Sequence, residues 1–218
     1  MKLFTDILSK FDTIGIFSVL VFFLIKRPKT EGAFYWFMGF VFSMCSFNFL
    51  AELQGICLTY FNITGNNLPL YHIACILYVI TLSRFFDRLF YSKWNKIVDL
   101  VFLIPFLILS IFNFIYLKRT FTIYGLTSIW VVVKCLFHYT SEFTNPMKRD
   151  ILQSKIFWIV SGLFLYFSVA FFIFITWDFL LESSYISNNF FFAHLWLLHN
   201  CILALSCCFF IKSIYCVD

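Results

Sequence analysis

Side chains able to do chemistry cluster in the last apolar run of the chain, residues 190–211. His194, Trp196, His199 and Asn200 all lie in this run. Imidazole and amide groups are costly in hydrocarbon unless they hydrogen-bond, so we expect them to face the interior of a helix bundle. The chemistry that they offer is hydrogen bonding, either to a polar ligand or to a neighbouring helix.

A second group of polar side chains lies near the predicted outer ends of other apolar runs. Its members are Asn48, Glu52, His72, Asp178 and Glu182. Asn48 and Glu52 are one helical turn apart and share a face of their helix. Together with the four residues of the last run, this group predicts a polar ligand-binding pocket in the outer half of the bundle.

Two alternatives to the pocket stay open at this stage. Asn48, Glu52, His199 and Asn200 are equally typical of hydrogen-bonding residues that hold helices together. A Glu52–His199 pair would be one example of such a contact. The remaining polar residues lie near the membrane interface, where solvation by water explains them, and they are His72, Asp178, Glu182 and His194.

The sequence does not predict a metal site or a catalytic centre. His194 and His199 are five residues apart, about 140° around a helix, so their rings point in different directions. The eight cysteines show no CxxC pair and no zinc-ligand spacing. No nucleophile–base pair, Gly-rich phosphate loop or carboxylate dyad is present. We therefore predict no cofactor and no metal, and we lean towards a protein that is not an enzyme.

The composition indicates what surrounds these side chains. Of the 218 residues, 62% are hydrophobic and 12% are charged, against about 25% charged in soluble domains. Such a chain needs lipid as its solvent, so we predict an all-α membrane helix bundle that forms one domain over residues 1–218. Seven apolar runs, each of at least ~18 residues, are long enough to cross a bilayer. They cover about 4–25, 33–58, 68–90, 97–116, 121–138, 156–177 and 190–211.

Basic residues between the runs set the expected orientation. Eleven Lys and Arg residues fall on the side that holds Lys26, and four fall on the other side. The positive-inside rule then places the N-terminus outside and the C-terminus in the cytoplasm. On the inner side we expect a charged rim that contacts anionic lipid or a partner protein. Its candidate residues are Arg84, Arg88, Lys148 and Arg149.

Three stretches resemble the small seven-helix membrane proteins of Bacteroidetes, some of which precede histidine-kinase modules. The stretches are LPLYH at residues 68–72, KIFWIVSGLFLYFS at residues 155–168 and HLWLLHN at residues 194–200. The resemblance implies a bacterial inner-membrane sensor or accessory module. The family-like positions are His72, Trp158, Tyr166, Trp196, His199 and Asn200.

The function predicted from these patterns is that of a sensor or accessory protein coupled to a partner membrane protein. We expect no kinase in this chain, because only seven residues follow the last span. The partners expected are the lipid bilayer and another membrane protein, without nucleic acid, since topology explains the basic residues. A structural subunit of a larger membrane complex is the alternative. A metal-dependent intramembrane lipid hydrolase is the less favoured one.

Overall fold

The computed structural model describes residues 10–28, 32–60, 68–90, 93–116, 120–144, 151–182 and 189–216. Within these ranges the chain forms seven α-helices and one short 3-10 turn, with no strand. The helices are α1 Phe11–Lys26, α2 Ala33–Tyr60, α3 Leu68–Leu89, α4 Lys93–Tyr116, α5 Thr120–Thr144, α6 Lys155–Glu182 and α7 Asn189–Tyr215. The 3-10 turn covers Ile151–Gln153 and precedes α6. The prediction of an all-α fold is confirmed.

Five of the helices are long and apolar enough to cross a membrane. The qualifying segments are Ala33–Gln54, Leu70–Leu89, Asn95–Phe112, Lys155–Thr176 and His194–Tyr215. They belong to α2, α3, α4, α6 and α7. The described part of α1 has 16 residues, fewer than the ~18 that a span needs. Helix α5 is long enough but carries Lys134 and several hydroxyl side chains. The chain is therefore a helical protein of the integral-membrane type.

Several helices extend beyond the predicted runs, and α4 and α5 do so by four residues or more. Helix α4 begins four residues before the expected start at Ile97, and α5 continues six residues past His138. The hydroxyl of Thr140 donates to the carbonyl of Leu136 at 2.8 Å, and that of Thr144 to the carbonyl of Thr140 at 2.8 Å. An apolar run marks the part of a helix that suits lipid, whereas backbone hydrogen bonding carries the helix further.

Helix α1 ends in a left-handed turn. Arg27 has φ 45°, and its backbone N–H donates to the carbonyl of Phe23 at 2.8 Å. Pro28 follows and cannot continue the helix. The αL residue after Lys26 satisfies one of the last carbonyls of the helix.

The chain divides into two compact units. Unit 1 comprises Met1–Thr30 and Ser128–Asp218, and unit 2 comprises Glu31–Thr127. The division falls within α5.

In unit 1, α7 packs against both α1 and α6. The contacts of α6 with α7 run in opposite sequence order, since Trp158 meets Phe209 and Tyr166 meets His199. The two helices are therefore antiparallel. They approach closely at Gly162, where an added Cβ would lie 2.5 Å from Cε1 of the Phe210 ring.

In unit 2, α2 and α3 form a second antiparallel pair. Their contacts are aromatic, with ring centroids 6.1 Å apart for Phe37 and Phe85 and 5.4 Å apart for Phe40 and Tyr78. A further buried cluster joins α3, α4 and the first part of α5. Its members are Cys75, Val79, Phe106 and Ile123.

Candidate functional site

His199 is a buried imidazole on the inner side of a helix pair. It is the eleventh residue of α7, about 15 Å along the axis from the first residue at 1.5 Å per residue. Only 6% of its surface is exposed. Because α6 lies antiparallel beside α7, residues in the middle of α6 surround this level of α7.

Three aromatic rings surround the imidazole of His199. The Trp196 ring stacks on it at 5.1 Å between centroids and an interplanar angle of 24°. Phe174 meets it edge-on at 5.5 Å, and Tyr166 lies tilted at 5.4 Å. Trp196 comes from one turn earlier on α7, and the other two rings come from α6. We call these four residues the His199 cluster.

The two nitrogens of His199 differ in their hydrogen bonding. Nε2 lies 3.5 Å from the hydroxyl oxygen of Tyr166, the long limit of a hydrogen bond. Nδ1 is buried and has no hydrogen-bond partner among the residues that the structure describes. A buried polar atom without a partner costs about 1–3 kcal/mol. The cluster can therefore gain stability from any ligand that brings a hydrogen-bonding atom to Nδ1.

The other predicted site residues of unit 1 divide into three kinds. Trp196 belongs to the His199 cluster. Asn200 is fully buried beside it, whereas His194 is exposed. His194 therefore does not have the interior position expected for the group, because it lies about 140° around the helix from the buried His199. Asp178 and Glu182 lie in the last turns of α6, and their side chains lie outside the described part of the chain.

In unit 2, three predicted residues share one end of the α2–α3 pair. His72 is buried near the start of α3, and Asn48 and Glu52 are half-buried towards the end of α2. Since α2 and α3 are antiparallel, the end of one lies beside the start of the other. At this same end the hydroxyl of Tyr124 donates to the carbonyl of Tyr71 at 3.3 Å.

The residues of the predicted outer pocket fall in both units. The His199 cluster lies in unit 1, and Asn48, Glu52 and His72 lie in unit 2. A Glu52–His199 pair would join the two units and stays a prediction. Within the described ranges, no three His, Cys, Asp or Glu side chains meet in a group that could hold a metal ion.

The predicted inner rim is described in part. Arg84 and Arg88 are exposed at the end of α3. Lys148 and Arg149 lie outside the described residues. Arg84 and Arg88 are thus the part of the predicted rim that the structure describes.

Lys134 is a buried residue to which the sequence pattern assigned no role. It is fully buried at the fifteenth position of α5, with Nζ 5.8 Å from the ring centroid of Trp130. His138, one turn later, is also buried. Lys134 interrupts an apolar run, which is the signal that could have marked it, because an ionisable residue inside a membrane helix needs a partner.

The sequence patterns assigned no role to Asn95 and Asp99, two polar residues at the α3–α4 junction. The side-chain amide of Asn95 donates to Asp87 at 3.0 Å, and Asp99 is buried one turn after Asn95. The predicted start of the fourth helix at residue 97 left Asn95 in a loop. Recognising the pair requires knowing that the two helices meet at this point.

No family model, curated protein or solved structure matches this chain.

Proposed function

We propose that this chain is a non-enzymatic membrane sensor or accessory protein. It binds a small or lipidic ligand at the His199 cluster and couples to a partner membrane protein. The observation that carries the proposal is the buried Nδ1 of His199, which has no hydrogen-bond partner among the described residues. A ligand atom at Nδ1 would replace the hydrogen bond that the fold leaves unmade.

The proposed setting is a bacterial inner membrane, crossed seven times. The N-terminus lies outside and the C-terminus in the cytoplasm, following the positive-inside bias. In this orientation α7 enters from the outer side, so His199 lies about 15 Å along a helix that starts there. The sensor assignment also rests on the resemblance to small seven-helix Bacteroidetes proteins.

The packing of α7 supports the coupling half of the proposal. Helix α7 contacts both α1 and α6, and two of the rings around His199 belong to α6. A ligand that binds one arrangement of these rings better than another shifts the α6–α7 pair towards that arrangement. Helix contacts would carry this shift to a partner in the membrane.

The test is a gentle-detergent pull-down of the tagged protein from its native membrane. Mass spectrometry of the eluate identifies both proteins and small molecules. We expect wild type to retain a small molecule and a partner protein. His199→Phe keeps an aromatic ring in the cluster but removes both nitrogens, so retention of the small molecule should fall about tenfold.

His194→Phe is the matched control, because His194 is the exposed histidine of the same helix. It should retain both the small molecule and the partner protein. Equal retention by the His199→Phe variant would contradict the binding site. A wild-type protein that elutes without a partner protein, and without a small molecule or lipid whose retention depends on His199, would contradict the proposed function.

A structural subunit of a membrane complex is the second candidate. The observation that favours it is the close packing of α6 on α7, in which the imidazole of His199 fills space between three rings. Polar residues often hold membrane helices together in this way. This candidate predicts a fixed set of partners at constant stoichiometry, no retained small molecule and no effect of His199→Phe on either.

A further inference from the structure

A continuous exposed stripe runs along α3. Its members are Ile73, Ile76, Ile80, Arg84 and Arg88, which recur every three or four residues. This spacing keeps them on one face of the helix. The isoleucines lie inside the segment Leu70–Leu89, which is apolar enough to cross a membrane. The stripe is thus apolar along most of its length and cationic at one end.

Opposite charges are separated at that cationic end. Asp87 accepts a hydrogen bond from Asn95, and Asp99 is buried. Arg84 and Arg88 are exposed, and neither has an ion pair or a hydrogen bond within the described residues. The carboxylate of Asp99 is therefore buried and that of the half-buried Asp87 is bonded to Asn95, whereas the guanidinium groups are exposed on the surface.

The first turns of α4 repeat the pattern of a cation followed by exposed apolar side chains. Lys96 directly follows Asn95 and is exposed. Ile97, Leu100 and Val101 continue from it as exposed apolar side chains. Because the Asn95–Asp87 hydrogen bond fixes the start of α4 beside the end of α3, both helices present cations at one end and apolar side chains beyond.

We propose that the α3–α4 junction binds one anionic phospholipid, with its phosphate on Arg84 and Arg88 and its acyl chains along the exposed isoleucines. Arginine suits this role because its planar guanidinium can donate two parallel hydrogen bonds to a phosphate. The site lies in unit 2 and is independent of the ligand proposed for His199.

The apolar part of the stripe selects a phospholipid over other anions. A free phosphate would use the arginines and leave Ile76 and Ile80 unused. An acidic protein segment would pair with the arginines, but the isoleucines beside them form an apolar surface that lipid chains solvate. A phospholipid, which has a phosphate next to hydrocarbon chains, can contact both the arginines and the isoleucines of the stripe.

The experiment is a native mass spectrometry titration of the detergent-purified full chain with phosphatidylglycerol or phosphatidylcholine. We expect wild type to bind phosphatidylglycerol more tightly. Each arginine near a lipid headgroup contributes about fivefold in affinity. The Arg84→Gln/Arg88→Gln variant should therefore lose about 25-fold in phosphatidylglycerol affinity. It should lose less in phosphatidylcholine affinity, because the choline cation offsets the charge of that phosphate.

The control is Arg27→Gln/Lys212→Gln, which removes two exposed cations from unit 1. It makes the same change in net charge and should leave phosphatidylglycerol binding within about twofold of wild type. An equal loss in the control would overturn the site, since net charge alone would then explain the preference. Unchanged binding by the Arg84→Gln/Arg88→Gln variant would also overturn it.

Two further outcomes separate other occupants. Inorganic phosphate that displaces phosphatidylglycerol at equal concentration would show that the anion alone is recognised, and would overturn the lipid assignment. A protein that co-purifies with wild type but not with the Arg84→Gln/Arg88→Gln variant, while lipid binding is unchanged, would overturn it in favour of protein docking.

Discussion

The two antiparallel helix pairs, α6–α7 in unit 1 and α2–α3 in unit 2, are held together by different means. In α6–α7 the helices approach so closely at Gly162 that no Cβ fits beside Phe210. In α2–α3 bulky rings fill the interface, with Phe37, Phe40 and Phe85 all fully buried. Rings thus pack in both pairs, and in α6–α7 a close approach at Gly162 is added to them.

This difference shows what stabilises helix pairs when lipid is the solvent. Lipid tails are as apolar as a phenylalanine side chain, so burying one against another helix gains little from the hydrophobic effect. Packing contacts and interhelical hydrogen bonds supply the stability instead. Close approach and large rings are two ways to obtain those contacts. The pair with close approach is also the one that encloses the imidazole of His199.

Truncating a central ring should have the largest effect. Phe85→Ala removes a fully buried ring whose centroid lies 5.0 Å from that of Phe86 and 6.1 Å from that of Phe37. The cavity should lower the free energy of unfolding by about 3 kcal/mol, measured by equilibrium unfolding in detergent micelles. The control is Phe42→Ala, which truncates an exposed ring of α2 and should change it by less than about 0.5 kcal/mol. Equal effects would mean that rings do not hold this pair.

Adding one methyl group should have opposite effects in the two pairs. Gly162→Ala places a Cβ 2.5 Å from a buried ring atom of Phe210 and 3.1 Å from the carbonyl of Ser206. Overpacking costs about 1–3 kcal/mol, so we expect a net loss of about 1 kcal/mol after the gain in helix propensity.

Gly39→Ala in α2 is the matched variant, because its Cβ would meet only Thr81 at an ordinary 3.5 Å. It should gain up to about 1 kcal/mol from helix propensity. Equilibrium unfolding of both variants in the same detergent shows whether each change raises or lowers the free energy of unfolding. A stabilising Gly162→Ala would show that α6 and α7 can separate without loss.

The helices were predictable because their signal is local. A run of apolar residues long enough for a bilayer can be read without knowing what lies beside it. The interior position of His199 was also predictable, because a polar group inside such a run needs a partner. The ends of α4 and α5 were not, because helix geometry continues where the apolar composition stops.

The partners of each site residue depend on contacts between helices, which single-sequence patterns do not contain. Phe174 contributes a ring to the His199 cluster, yet it is one of 34 phenylalanines, so its residue type gave no indication of its place. Nothing in the sequence indicated that Gly162 lies where α6 and α7 approach closely. Lys134 is different: its position in an apolar run was visible, and only its complete burial shows that it belongs to the interior of unit 1.

Removing a tyrosine hydroxyl should have the smallest effect, and two tyrosines of α5 and α6 allow a comparison at different distances. The Tyr139 hydroxyl donates to Ser161 at 2.9 Å, whereas the Tyr166 hydroxyl lies 3.5 Å from Nε2 of His199. Interhelical hydrogen bonds in membrane proteins contribute about 0.6 kcal/mol. Tyr139→Phe should lower the free energy of unfolding by about that amount, and Tyr166→Phe by less than about half of it, because a 3.5 Å contact is at the limit of hydrogen bonding.

The same unfolding assay in detergent decides between the two tyrosines. The loss of unfolding free energy in the Tyr139→Phe/Ser161→Ala double variant should be smaller than the sum of the losses in the two single variants. Each single variant already removes the same hydrogen bond. A loss from Tyr166→Phe as large as that from Tyr139→Phe would mean that Nε2 of His199 already has a full hydrogen bond. The imidazole would then be anchored to Tyr166 of α6, and Nδ1 would be the nitrogen of His199 left for a ligand.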